Sequence, residues 1–204
     1  IAKLEPLTAS QEADANQLSE VEFWIGSSQF KQGNFADAEK SLANSFVANQ
    51  QWKRTAETLL TLCRSQLAQK KDKEATETAD TFLKTYSSSP LATELHYRLG
   101  ESDYEQEKYK SALEHFQRIN NLESPTKFTP FSLYNAAYCQ LQIEQNQAAE
   151  KTFTKLISQF PDNDLANLAR TGRANAQRKL GNPKAAIEDL NEFLASKPET
   201  ARRE

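Results

Sequence analysis

The side chains best suited to chemistry in this chain are scarce: two histidines and two cysteines among 204 residues. His96 falls at a packing position of one predicted helix, and His115 lies beside Phe116 on the next. No cysteine or carboxylate cluster surrounds either in metal-ligand spacing, and no nucleophile motif accompanies them. Both therefore read as structural rather than as metal ligands or proton carriers. Cys63 and Cys139 read as small apolar fillers, on helices too far apart for the ~5.5 Å between α-carbons that a disulfide requires. The five glycines form no phosphate-cradling loop. The expectation is a non-enzyme with no catalytic residues, no metal and no cofactor.

Composition narrows the classes further. Apolar residues make up 38%, and the net charge is −3, so no bulk field draws the chain to nucleic acid or an anionic membrane. No run of some eighteen apolar residues predicts a membrane span. Charge is uneven: residues 1–50 carry three lysines against seven acids, and residues 165–204 carry eight basic residues against five acids. Solvated faces explain this acidic head and basic tail, with head-to-tail self-association as the alternative. The chain has no methionine and no leader, which gives the expectation of a processed or trimmed piece of a longer product.

The elements that must position these residues are organised around residues 95–119, LHYRLGESDYEQEKYKSALEHFQRI. Read at 3.6 residues per turn, the stretch predicts one helix ending near Glu107 and a second starting near Tyr109. Stepping by 37 from Ala112 gives Ala38, Ala75, Ala149 and Ala186. Twelve residues earlier stand the small Gly26, Cys63, Gly100, Ala137 and Ala174. Four later stand the apolar Leu42, Ala79, Phe116, Phe153 and Leu190. Seven later stand Ser45, Phe82, Ile119, Leu156 and Phe193, with only the serine off pattern. Small residues facing aromatic or aliphatic fillers at fixed offsets describe one helical hairpin repeated five times, since a lone hairpin cannot bury its own apolar face.

With those columns in view, Leu99-Gly100, Tyr104, Tyr109, Ala112, Phe116 and Pro161 stand where the tetratricopeptide repeat family has its L-G, Y, aromatic, A, F and P positions, and the chain resembles that family from about Ser19 to Pro198. The resemblance implies an all-α fold, a right-handed α-α superhelix of five hairpins. The period of 37 departs from the common 34. Links such as FLKTYSSSPLATE and LISQFPDNDLANLA are similar to those of bacterial envelope proteins, the Tol-Pal-associated periplasmic coordinator and the outer-membrane assembly lipoproteins. A periplasmic or envelope-associated location is the corresponding expectation.

By this register residues 1–18 are a lead-in, helical from near Ser10, and residues 199–204 a tail. The five repeats occupy about 19–52, 53–90, 91–127, 128–163 and 164–198. Turns are expected at residues 32–34, at 70–72 and, with proline at the third position, at 181–183. The last helix keeps Phe193 and Leu194 with no successor to cover them, which predicts either further downstream residues or a self-association surface.

In the resembled family the first helix of each repeat lines a concave groove. Here those positions include Trp24 in the first repeat, Glu94 in the third and Leu168, Thr171 and Lys179 in the fifth. The candidate partner-binding residues are Arg64, Tyr97, Arg98, Glu101, Phe131, Tyr134, Asn135, Tyr138 and Asn175, a mixture of flat aromatic area and fixed hydrogen-bonding groups of the kind that dominates binding hot spots. The Lys and Asn columns of the carboxylate clamp in co-chaperone repeats read Phe23, Ser27, Leu60, Arg64, Tyr97 and Glu101, so that clamp is not expected. The function expected is a protein- or peptide-binding scaffold, with a regulatory or targeting module of a larger enzyme or sensor as the alternative.

Overall fold

The 37-residue period is written into the backbone at one residue per repeat. Gly33 and Gly181 have φ of 81° and 82°, and Lys70, Glu107 and Glu144 have φ of 59°, 60° and 61°. These five left-handed positions are successive steps of 37. In the computed structural model, which describes residues 14–196, they separate the members of five helix pairs. The helices are α1 (Ala15–Lys31) with α2 (Phe35–Ala48), α3 (Thr55–Ala68) with α4 (Asp72–Tyr86), α5 (Leu91–Glu105) with α6 (Tyr109–Asn120), α7 (Thr129–Gln142) with α8 (Asn146–Gln159), and α9 (Asp164–Lys179) with α10 (Pro183–Ala195). No strand occurs among the described residues.

Each turn is closed the same way. The left-handed residue donates its N–H three residues back, as Glu107 does to the Tyr104 carbonyl at 3.0 Å. The next residue donates five back, as Lys108 does to Asp103 at 2.9 Å. Lys71 to Gln66, Gln145 to Gln140, Asn182 to Gln177 and Asn34 to Gln29 repeat the second bond at 2.8–3.0 Å. This pair of bonds satisfies carbonyls that a helix end would otherwise leave unpaired. The same residue then accepts the first bond of the following helix, and its donor is the alanine of the column: Ala38, Ala75, Ala112, Ala149 and Ala186. All five alanines are buried.

The chain divides between Leu95 and His96 into two compact units. In the first, Phe23, Ala38, Leu42, Trp52 and Leu62 form one core cluster. A Cβ placed on Gly26 would lie 2.7 Å from Leu42 Cγ, which is why the small column faces the filler column. Ser45, the off-pattern residue, is buried and exchanges bonds with Ser19: each hydroxyl donates to the other's carbonyl, at 2.7 and 2.9 Å. Two buried hydroxyls thus do the work of an apolar pair. In the second unit, Phe116 fills the space beside Gly100, whose added Cβ would meet the ring at 2.7 Å. Phe153 also fills the space beside Gly172 on α9, the first helix of the following repeat, where an added Cβ would meet its ring.

The first helix begins at Ala15, ahead of the Ser19 expected, because Asp14 caps it by accepting from the Gln17 N–H at 2.7 Å. The expected helical start near Ser10 and the tail from residue 199 lie outside the described residues. On α10, Ile187, Leu190 and Leu194 are exposed, and Leu190 stands at a filler position buried in the other four repeats.

Non-glycine residues in the left-handed region cost about 1–2 kcal/mol, offset in part by the greater unfolded-state entropy of glycine. Replacing Lys70, Glu107 and Glu144 with glycine should therefore raise stability by about 0.5–1 kcal/mol per site in urea unfolding. Gly33→Ala should lower it by about 1 kcal/mol. A loss of stability on all three glycine substitutions would contradict this account of the turns.

Candidate functional site

The predicted partner-binding residues lie on the first helices of the hairpins, and the second unit holds all but one. Tyr97 on α5 is 8% exposed, its ring packed among Phe128, Phe116 and Phe131 at centroid distances of 5.1, 6.1 and 6.2 Å. It is core with a polar tip. Burial is the largest influence holding its phenol well above the ordinary range, and a hydrogen bond to the Glu101 carboxylate acts in the same direction. Asn135 acts on the phenol in the opposite direction. Glu101 in turn accepts from Arg98 Nη1 at 2.8 Å, and the Arg98 guanidinium sits 5.5 Å from the Tyr97 ring. Tyr97, Arg98 and Glu101 are thus one connected set on α5.

Tyr134 and Tyr138 on α7 are half-buried and tilt against each other at 4.8 Å. Both meet Phe153, Tyr138 edge-on at 5.3 Å and Tyr134 at 6.3 Å. Burial raises the Tyr134 phenol, reinforced by its hydrogen bond to Tyr138. These rings buttress the α7–α8 core while keeping an edge outward. Phe131 is different: 45% exposed, it stands at the start of the same face. Asn175 on α9 is half-buried and accepts from Arg178 Nη2 at 3.2 Å. Arg64 belongs to the first unit, where it pairs with Glu94 at 3.2 Å and lies 4.6 Å from the Phe30 ring.

Leu168 contributes to this face without being among the candidates. It stands one repeat on from Phe131 and is 42% exposed, so α7 and α9 each present an apolar residue at the same helical position. Phe128, stacked on Tyr97, was also not singled out, because it precedes the expected helix. Sequence reasoning further missed Asp189, buried on α10, which accepts from Arg173 of α9 at 2.5 and 2.7 Å. The hydrogen bond to Asp189 raises the Arg173 pKa above its ordinary value.

The residues with reactive potential are placed as follows. Cys63 and Cys139 are buried and free, and burial pushes each thiol up to about 12, so both are neutral at physiological pH. His96 and His115 meet across the α5–α6 hairpin, with their Nδ1 atoms 3.2 Å apart. Among the described residues no group of three or more His, Cys, Asp or Glu side chains could hold a metal ion. Nor is any helix among them long and apolar enough to cross a membrane.

Residues 131–163, spanning most of α7 and α8, match the tetratricopeptide repeat family. No curated protein sequence matches the chain. Its fold is similar to that of several solved structures. The crystal structure of MamA protein has a TM-score of 0.76 at 19% identity, covering 92% of this chain and 96% of that one. MamA from Desulfovibrio magneticus RS-1, from residue 41 to the end, gives 0.71 at 14%, covering 92% and 98%. YrrB, described as a TPR protein with an unusual peptide-binding site, gives 0.70 at 15%, covering 94% and 91%. The family match in α7–α8 and these likenesses support the tetratricopeptide reading, and the fold is the helical-hairpin repeat fold of these neighbours.

The geometry separates structural from surface aromatics. Tyr97→Ala should cost about 3 kcal/mol in urea unfolding, as loss of a buried aromatic does. Phe131→Ala should change stability by less than about 0.5 kcal/mol, as expected of an exposed side chain. Equal costs would show that the two rings are not partitioned in this way.

Proposed function

We propose that the protein is a non-catalytic scaffold whose second unit binds an extended or helical segment of a partner polypeptide along the outward face of α5, α7 and α9. The observation that carries this reading is the pair Phe131 and Leu168. Two large apolar residues are exposed at equivalent positions one repeat apart, bordered by Arg98, Asn135 and Asn175 and by the edges of Tyr134 and Tyr138. Apolar anchors ringed by aromatic edges and amide or guanidinium groups are the composition of a protein-recognition surface. The polar set around Tyr97 is held by internal hydrogen bonds, so a partner meets groups already fixed in place. The likeness to YrrB, a fold with a described peptide-binding site, agrees with this use of the face.

A finer proposal places the scaffold in a bacterial envelope complex of the Tol-Pal-associated or outer-membrane assembly lipoprotein kind. It draws on the uniform period of 37, kept at all five left-handed turns. Fractionation of cells producing the full-length gene product tests it. Recovery with the cytosol would overturn the envelope reading and leave the binding face untouched.

The test of the binding face uses residues whose loss spares the core. A Phe131→Ser/Asn135→Ala/Leu168→Ser variant should retain wild-type helical content and lose a captured partner polypeptide by at least tenfold in matched pull-downs. A control variant, Val47→Ser/Ile187→Ser, changes apolar residues elsewhere that are more exposed still and should retain it. Equal capture by the wild type and the first variant would remove recognition from this face.

A further inference from the structure

The hairpin of α5 and α6 holds a side-chain cluster that the binding face does not use. His96 on α5 and His115 on α6 point their Nδ1 atoms at each other at 3.2 Å, with ring centroids 5.4 Å apart and planes inclined by 38°. On the far side of the His115 ring, Nε2 lies 3.8 Å from Asp103 Oδ2. Asp103 is oriented in turn by Ser111, whose hydroxyl donates to the same carboxylate oxygen at 2.5 Å. All four residues belong to one hairpin of the second unit.

At 3.8 Å the Asp103 carboxylate is beyond hydrogen-bond reach of Nε2, and it biases the His115 tautomer through its charge. A carboxylate facing Nε2 favours the proton on that nitrogen, which leaves the Nδ1 lone pair of His115 directed at His96. His96 can then either donate Nδ1–H to that lone pair or, protonated on its own Nε2, aim a second lone pair at the same point. The second state is a chelate. Two nitrogens 3.2 Å apart subtend about 100° at an ion bound ~2.0–2.1 Å from each, close to the tetrahedral value. The distances suit a bridging ion as well as they suit an N–H···N bond.

We propose that His96 and His115 form a two-imidazole site for a borderline divalent transition ion such as Zn²⁺ or Cu²⁺, with the Asp103 carboxylate 3.8 Å from His115 Nε2 as the nearby outer charge. Neutral imidazole suits this class of ion, and the carboxylate–histidine–metal relay is its common outer shell. Two protein ligands leave the remaining positions to water. Both imidazoles are kept neutral, the ligating form, by burial, which takes His96 down to about 4 and lowers His115. Asp103 and Glu114 offset the neighbouring Arg118 charge at His115. Bound there, the ion would tie α5 to α6 about two helical turns from their connecting turn.

The chain contains two histidines in all, so any imidazole signal from the untagged protein belongs to this pair. Titration calorimetry with Zn²⁺ should show one ion per chain, with affinity falling at least a hundredfold in His96→Gln/His115→Gln. Asp103→Asn should weaken binding about tenfold with helical content unchanged, the signature of a positioning residue. The Cu²⁺ electron paramagnetic resonance spectrum of the wild type should carry hyperfine structure from two nitrogens. Wild type and double variant binding Zn²⁺ alike, or no binding at millimolar Zn²⁺, would overturn the site and leave the pair as an N–H···N contact. Should the double variant lose its helical signal, the Cu²⁺ spectrum decides: two imidazole nitrogens support the site, and one or none removes it.

Discussion

Everything in this fold hangs on a left-handed residue that recurs every 37 positions. At each of the five, the backbone can reverse within three residues only because one φ lies near 60–80°. The two bonds that close the turn hand the chain directly to the next helix, whose first N–H donor is the column alanine. A larger side chain at that point would push the second helix off the first. The alanine and the small residue twelve positions earlier let the helices approach, and the filler four positions later occupies what remains, as Phe116 does beside Gly100. The turn therefore sets the register of each hairpin, and side-chain positions follow from distance to the turn.

That dependence explains what could be read from the sequence. The alanine, small and filler columns were legible because burial leaves few residue types able to stand there. Gly33 and Gly181 announce their turns by residue type. The turn at 70–72 and the break after Glu107 are placed by the helical pattern alone, since nothing in a lysine or glutamate signals positive φ. Ser45 looked like a defect because its compensation, Ser19, is 26 residues away and reciprocal. The early start of α1 turned on one capping carboxylate, Asp14.

At the proposed binding face the limits were of another kind. Helical periodicity assigns Tyr97 and Phe131 to one face, yet Tyr97 is enclosed by Phe116 and Phe128 while Phe131 stands out. The difference lies in tertiary neighbours, which spacing along one helix cannot report. The histidine pair shows the converse. Tyr104 and Tyr109 flank the turn and touch at 5.5 Å, Asp103 bonds Ser111, and His96 meets His115, each pair set at comparable distances on either side of the turn. Along the chain the two histidines stand nineteen residues apart, with no ligand cluster in sequence around either. Counted outward from Glu107, the separation brings the two Nδ1 atoms to 3.2 Å.

The same bookkeeping bears on recognition. At one helical position of the five repeats the residues read Glu20, Glu57, Glu94, Phe131 and Leu168. The third of these is engaged by Arg64, and Arg98 one column over is engaged by Glu101. Drawing such paired charges into an interface would exchange one ion pair for another at small net gain. Covering Phe131 and Leu168 removes apolar area from water at no comparable cost, about 25 cal/mol for each Å². Under the proposed function, affinity on this surface would therefore come mainly from the two apolar residues. In that reading the arginine, amide and tyrosine groups around them would set which segment fits and in which direction it lies.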